Sequence, residues 1–319
     1  MATRRKSITL APTALDRNGI STTETFLATR LDFLINGALS TGYDRNGIAA
    51  SQTPTSSAAM TLDGALGLDF VSRDGVYILI YGAADDTGRT FSVVGRTKNG
   101  HTITEQITGP DAGLIVLGAV KFHSIVSVAS DAATAGAIEI GVNGYVDLAA
   151  AGAPQHFAIY SAGDDRGVTM TAVGKNRYGA ALTETITGGN AGTVIGSLNF
   201  AKIDRISTSG ASAGAVEGGI DGLCESQWFV LNQYSNDFGV SIGVDKVAGT
   251  HTYAVQHTYT NVMAPGYTEG DETVFTHSTI TSKTADFEGS YTTPPVACRL
   301  AFTAFTSGSS IMHVAQSGS

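Results

Sequence analysis

The sequence predicts an all-β protein: tandem small antiparallel β-sandwich or barrel domains preceded by an extended N-terminal arm. Three observations carry that expectation. Short β-favouring runs rich in Thr, Ser, Ala and Val alternate with glycine punctuation, and charged residues are few. The dipeptides Asn18-Gly19, Asn46-Gly47, Asn99-Gly100, Asn143-Gly144 and Asp221-Gly222 tolerate the positive φ of tight turns and mark where strands would reverse. The chain also contains one block twice, "GAADDTGRTFSVVGRTKNGHTITEQITG" from Gly82 and "SAGDDRGVTMTAVGKNRYGAALTETITG" from Ser161, at a shift of 79 residues.

Taken in order, residues 1–69 form the arm. They repeat "DRNGI" at Asp16 and Asp44 and answer "NGAL" at Asn36 with "DGAL" at Asp63. "STTETFLATRLDFLING" has helical features, with Ser21 and Glu24 as a capping box and Gly37 as a stop. Yet Leu31, Phe33 and Ile35 alternate as in a strand, and the second passage carries Pro54 and little apolar content, so extended structure is expected. With so thin an apolar supply the arm should lie on partners, along neighbouring subunits, rather than fold as a separate globule.

Residues 70–146 form the first β domain, with strands expected near Val76–Tyr81, Arg89–Thr97, His101–Thr108, Leu114–Leu117, Phe122–Ala129 and Ala137–Val142. Residues 147–223 repeat the plan, from Phe157–Tyr160 through Ala215–Ile220, the shift falling to 78 by Phe200 against Phe122. This period is too long for one coil of a solenoid, and six strands suffice for a self-contained sandwich. From Cys224 the repeat stops. "WFVLNQYSNDFGVSIGV", "GTHTYAVQHTYTNV" and "RLAFTAFTSGSSIMHVAQSG" read as strands of a third, C-terminal β-sandwich over 224–319, with Tyr253, Val255 and His257 on one face.

Composition narrows the function. The formal net charge of -9 and the lack of a Lys/Arg surplus argue against nucleic-acid binding, the only basic run being Arg4-Arg5-Lys6. No apolar run reaches membrane-spanning length and no secretion signal opens the chain, so no membrane partner is expected. Cys224 and Cys298 are isolated and are read as buried thiols, a disulfide being the alternative.

Motifs that could carry chemistry have plainer readings. "GASAG" at Gly210–Gly214 matches G-x-S-x-G, but the first copy makes the same turn as "AATAG", without serine, so Ser212 is not expected to be a nucleophile. Asp85-Asp86 and Asp164-Asp165 are read as turn formers rather than calcium ligands. His251 and His257, about 20 Å apart along a strand, cannot share a metal. Glu105 between Ile103 and Ile107, repeated as Glu184 between Leu182 and Ile186, suggests a bulge, an edge strand or a half-covered face rather than a paired-acid site. No catalytic, cofactor-binding or metal-binding residue is assigned, and no cofactor is expected.

The block "YSAGDDRGVTMTAVGKNRYGAALTETITGGNAGTV", its partner after Gly82, "YAVQHTYTNVMAPG" and "TVFTHSTITSKTADFEGSYTTPPVACRLAFTAFTSG" resemble β modules in structural proteins of tailed bacteriophages. The resemblance covers roughly residues 70 to 319, with "LDRNGI" fitting near the start. It implies a virion component with no catalytic residues; the chain is then read as a non-enzymatic structural subunit at the neck or tail, contacting other virion proteins in a symmetric homo-oligomer. A decoration or cement subunit on the head is the second reading. The third is a carbohydrate-binding adhesin or a tail fibre or spike module, for which Trp228 is the only tryptophan.

Overall fold

A computed structural model describes residues 4–11, 16–24, 43–70, 73–148, 153–233 and 239–317. It is all-β, and every ladder is antiparallel. The arm provides β1 (Arg4–Leu10), β2 (Asp16–Glu24), β3 (Asp44–Gln52) and β4 (Ala58–Ala59). A first unit of six strands follows: β5 (Val76–Gly82), β6 (Thr90–Arg96), β7 (Thr102–Thr108), β8 (Ile115–Phe122), β9 (Ser124–Ser130) and β10 (Ile138–Val142). After β11 (Val146–Asp147) comes the second unit: β12 (Phe157–Asp164), β13 (Thr169–Lys175), β14 (Ala181–Thr187), β15 (Asn190–Ile195), β16 (Lys202–Thr208) and β17 (Val216–Ile220). After β18 (Phe229–Val230) comes the third: β19 (Gly239–Ala248), β20 (His251–Thr258), β21 (Val274–Thr276), β22 (Phe287–Tyr291), β23 (Ala297–Phe305) and β24 (Ser309–Ser317).

The strand orders show what the sequence conceals, because the third unit has the topology of the first two. One sheet of each unit holds its sixth, first and fourth strands, and the other its fifth, second and third. A short lead-in strand, β4, β11 or β18, joins the fifth strand, and an arm strand joins the sixth, giving sheets β3-β10-β5-β8, β2-β17-β12-β15 and β1-β24-β19-β22. Each unit is thus a sandwich of two four-stranded sheets.

The arm runs through this chain's own sandwiches in reverse order. β1 pairs with the third, β2 with the second, and β3 with the first. The two "DRNGI" segments are the starts of β2 and β3, and they pair in matching registers: Asp16 opposite Ile220 and Ser21 opposite Gly218, against Asp44 opposite Val142 and Ala49 opposite Ile140. Asn18-Gly19 and Asn46-Gly47 therefore do not reverse strands. They lie inside strands with irregular registers, where five residues of the arm strand span two of its partner. The Ser21 to Glu24 stretch is strand, not a helix cap, while Leu31, Phe33, Ile35 and Gly37 lie outside the described residues.

Each sandwich buries its own apolar core. Phe91, Val93, Phe122 and Val128 fill the first, where Ile48 and Ala49 of β3 are fully buried among them. Met170, Phe157, Phe200 and Ile206 fill the second, and Tyr253, Val255, Leu300 and Met312 the third, with Leu10 of β1 added. Burying one such Ile or Leu side chain contributes about 1.5–3 kcal/mol, so β1 and β3 are part of the cores and not a surface coat. Arg45 fixes β3 further: its guanidinium makes a two-pronged pair with Glu139 (2.5 and 3.3 Å) and lies 4.1 Å above the Tyr81 ring. Close approach also needs Gly141, where a Cβ would sit 1.8 Å from the Asp44 carbonyl oxygen.

Candidate functional site

Two kinds of place gather charged side chains, the mouths of the first two sandwiches and the junctions between sandwiches. At the mouths, Glu105 on edge strand β7 accepts the backbone N–H of Ala119 and of Val120 (3.2 Å) from β8 in the facing sheet. Glu184 on β14 does the same for Ser197 (2.5 Å) and Leu198 (3.3 Å), and also accepts from the Ser197 hydroxyl (2.9 Å). Gly118 and Gly196 leave room for these carboxylates, since a Cβ at either would lie 2.4 Å from the glutamate oxygen. The acid in the apolar row is therefore an edge-strand latch between sheets, and β8 runs past the expected Leu117 to Phe122 because the latch spans its irregular middle. Burial pushes the Glu105 carboxyl up, against the two N–H bonds that favour its charge.

The paired aspartates divide their work in the same way in both copies. Asp85 accepts from the Thr87 amide (3.0 Å) and hydroxyl (2.6 Å), and Asp164 from the Arg166 amide and guanidinium, as turn formers do. Asp86 and Asp165 are buried and reach across to the Ala135 (2.7 Å) and Ala213 (2.6 Å) amides. Ser212 donates to the Gly214 carbonyl at 2.7 Å, as Thr134 does to Gly136 at 2.8 Å, so the serine of "GASAG" is a turn residue.

The junction between the first and second sandwiches draws in Lys98, Lys121, Lys175 and Lys202, four of the chain's seven lysines. Asp74, in the left-handed region at φ 61°, receives Lys98 and Lys121 at 3.7 Å and the closer Lys175 of the second sandwich. Asp204 receives Lys121 and Lys202, each at 2.9 Å. Burial works against the Asp74 carboxylate, but the Lys175 hydrogen bond and the surrounding ammonium charges hold it down at about 2.

The junction between the second and third sandwiches is more deeply buried. His156 lies 3.5 Å from both Asp221 and Glu225. Burial opposes the charged ring, yet bonds and charge from the two carboxylates outweigh it and raise His156 to about 10. Burial likewise opposes the Glu225 carboxylate, while His156, Arg299 and Asn199 hold it down to about 2. Arg177 donates to the Glu225 carbonyl (2.5 Å) and lies 3.5 Å from Glu269, whose carboxyl is pushed up by burial. Arg299 covers the Trp228 ring at 4.4 Å, and the indole N–H bonds Glu272 at 3.1 Å. Trp228, 8% exposed, is thus sealed away from any surface ligand. A cleft of about 210 Å³ opens beside this cluster, between Leu198 and Asn199 of the second sandwich and Glu269 and Arg299 of the third.

Chemically this is a network of matched charges. A charged His156 has no lone pair with which to take a proton, and its carboxylates are engaged by cations. Sequence reasoning missed this network, whose members come from separate segments. The detectable signal was departure from the repeat: His156, Arg177 and Asn199 stand where the first copy has Tyr77, Lys98 and Lys121.

Among the described residues, no group of three or more His, Cys, Asp or Glu is placed to hold a metal ion, and His251 and His257 sit at opposite ends of β20. Cys224 and Cys298 are free thiols in the third core; burial raises both, Cys298 to about 12. No helix of the described residues is long and apolar enough to cross a membrane. Compared with known proteins, the chain matches no family model and no curated protein.

Proposed function

We propose that this chain is a non-enzymatic structural component of a tailed bacteriophage virion, attached at the neck or tail and acting through protein contacts in a symmetric homo-oligomer. The observation that supports this most is the stitching. One arm completes three sandwiches of the same topology, which suits a chain whose product is a shaped surface. Ionisable groups at the mouths and junctions serve as latches and ion pairs, an economy that fits a scaffold better than a reactive site. Linked copies of one module multiply weak contacts, and a stable place in a particle needs more than about 1,000 Å² of buried interface.

Mass spectrometry of separated heads and tails tests the location. Finding the chain with tails supports the reading, finding it with heads shifts the role to decoration, and its absence from both overturns a virion role. Light scattering on the purified chain should give a mass of several copies. A glycan array addresses the adhesin reading, for which Tyr178, Tyr259 and Phe275 are exposed aromatic side chains.

A further inference from the structure

The third sandwich closes its mouth with different chemistry. In the first two, the latch occupies a core-facing row: Glu105 beside Val93 and Val128, and Glu184 beside Ala172 and Ile206. The corresponding place beside Val255 and Leu300 belongs to His277, whose amide donates to the Val255 carbonyl at 2.8 Å just beyond β21. His277 is 3% exposed. Its Nδ1 lies 3.2 Å from the Thr279 amide nitrogen and 3.2 Å from that of Ile280. Two N–H donors aimed at one ring nitrogen require a lone pair there, so the ring proton sits on Nε2. Nε2 donates to the Ser290 carbonyl at 3.1 Å, on β22 of the facing sheet. One neutral imidazole therefore holds both the turn after β21 and the opposite sheet.

We propose that His277 is an acid-released latch on the third sandwich. Protonation at Nδ1 removes the lone pair that the two amides share, leaving the Thr279 hydroxyl, 3.3 Å away, as the group that accepts from it; the turn after β21 loses its hold while the Nε2–H bond to Ser290 persists. A carboxyl keeps an oxygen acceptor in either protonation state, so the mouths held by Glu105 and Glu184 stay shut under the same change. The groups facing His277 offer the added proton no counter-charge: His257 from β20, itself an imidazole, and Tyr291 from β22, its ring 4.8 Å away. Among the described residues no salt bridge reaches His277. This inference does not depend on the virion role.

The experiment is backbone hydrogen exchange on the full chain at pH 7.5 and 5.0, expressed as protection factors so that the intrinsic pH dependence is removed. At pH 5.0 the Thr279 and Ile280 amides should lose protection by about tenfold or more, while those of Ala119, Val120, Ser197 and Leu198 hold theirs. His277→Asn supplies a non-titrating oxygen to the same two amides and should abolish the pH difference. His257→Gln and His251→Gln should retain it. Equal protection at both pH values in the unaltered chain, or a loss that persists in His277→Asn, overturns the proposal. Should His277→Asn not fold, imidazole nitrogen NMR of the unaltered chain still decides, because a ring carrying its proton on Nδ1 at pH 7.5 also overturns it.

Discussion

In the first sandwich β3 meets β10 through a broken register that needs Gly141 and an Arg45–Glu139 clamp, whereas in the third β1 runs beside β24 unbroken from Arg4 opposite Gln316 to Leu10 opposite Ser310. The mouths differ as well, carboxylate in one and imidazole in the other. Strand order is nevertheless the same. What persists is the set of backbone groups needing partners, while the side chains that supply those partners are exchangeable. A unit can then lose its sequence likeness while keeping its topology.

The largest effect should come from breaking the arm contact peculiar to the first sandwich. Gly141→Val places a Cβ at 1.8 Å from the Asp44 oxygen and should displace β3, costing about 3–5 kcal/mol. Urea unfolding should show the first sandwich melting early with the third unchanged.

Next comes pH, which should separate the two junctions. His156 is raised from 6.5 to about 10, so its contribution is complete below pH 6.5 and is lost as pH rises through 10. Glu225 is lowered from 4.5 to about 2, so its contribution is complete above pH 4.5 and is lost as pH falls through 2. The junction between second and third sandwiches should be firmest between pH 4.5 and 6.5 and lose on the order of 4 kcal/mol by pH 10. Asp74 of the other junction, lowered from 3.8 to about 2, gives a loss on the acid side only. Thermal melts from pH 5 to 10 would sharpen the contrast, and a junction indifferent to alkali would refute it.

A smaller effect attends the latches. Glu184→Ala strands the Ser197 and Leu198 amides and should cost about 2 kcal/mol, with Glu184→Gln recovering most of it, read from denaturation midpoints. Smallest is Ser212→Ala, which removes one turn hydrogen bond, about 0.5–1 kcal/mol. The melting point should fall by a few degrees at most.

Much of the fold was legible because its cause is local. Alternation in "TFSVVGR" placed β6, and Asn99-Gly100 gave a true hairpin turn with Gly100 at φ 80°. Asn18-Gly19 and Asn46-Gly47 misled because a bulge and a turn call for the same small, permissive residues. The "DRNGI" echo was visible, but its meaning lay in partners more than ninety residues away, Asp44 opposite Val142 among them. The third sandwich was expected, but its kinship with the first two stayed hidden since interior positions ask only for apolar bulk, which Leu300 supplies as well as Val128. The ion-pair network went unread for a related reason: charge pairing across a junction leaves no period along the chain, only departures from the repeat at His156, Arg177 and Asn199.

The pairing of β1 with β24 carries a consequence for biosynthesis. The ribosome delivers Arg4–Leu10 roughly 300 residues ahead of Ser309–Ser317. At about 5–20 residues per second the early strand waits on the order of tens of seconds for its mate. Throughout that interval β1 is without its ladder partner, so of the three sandwiches the one whose first strand is made earliest is the last to close.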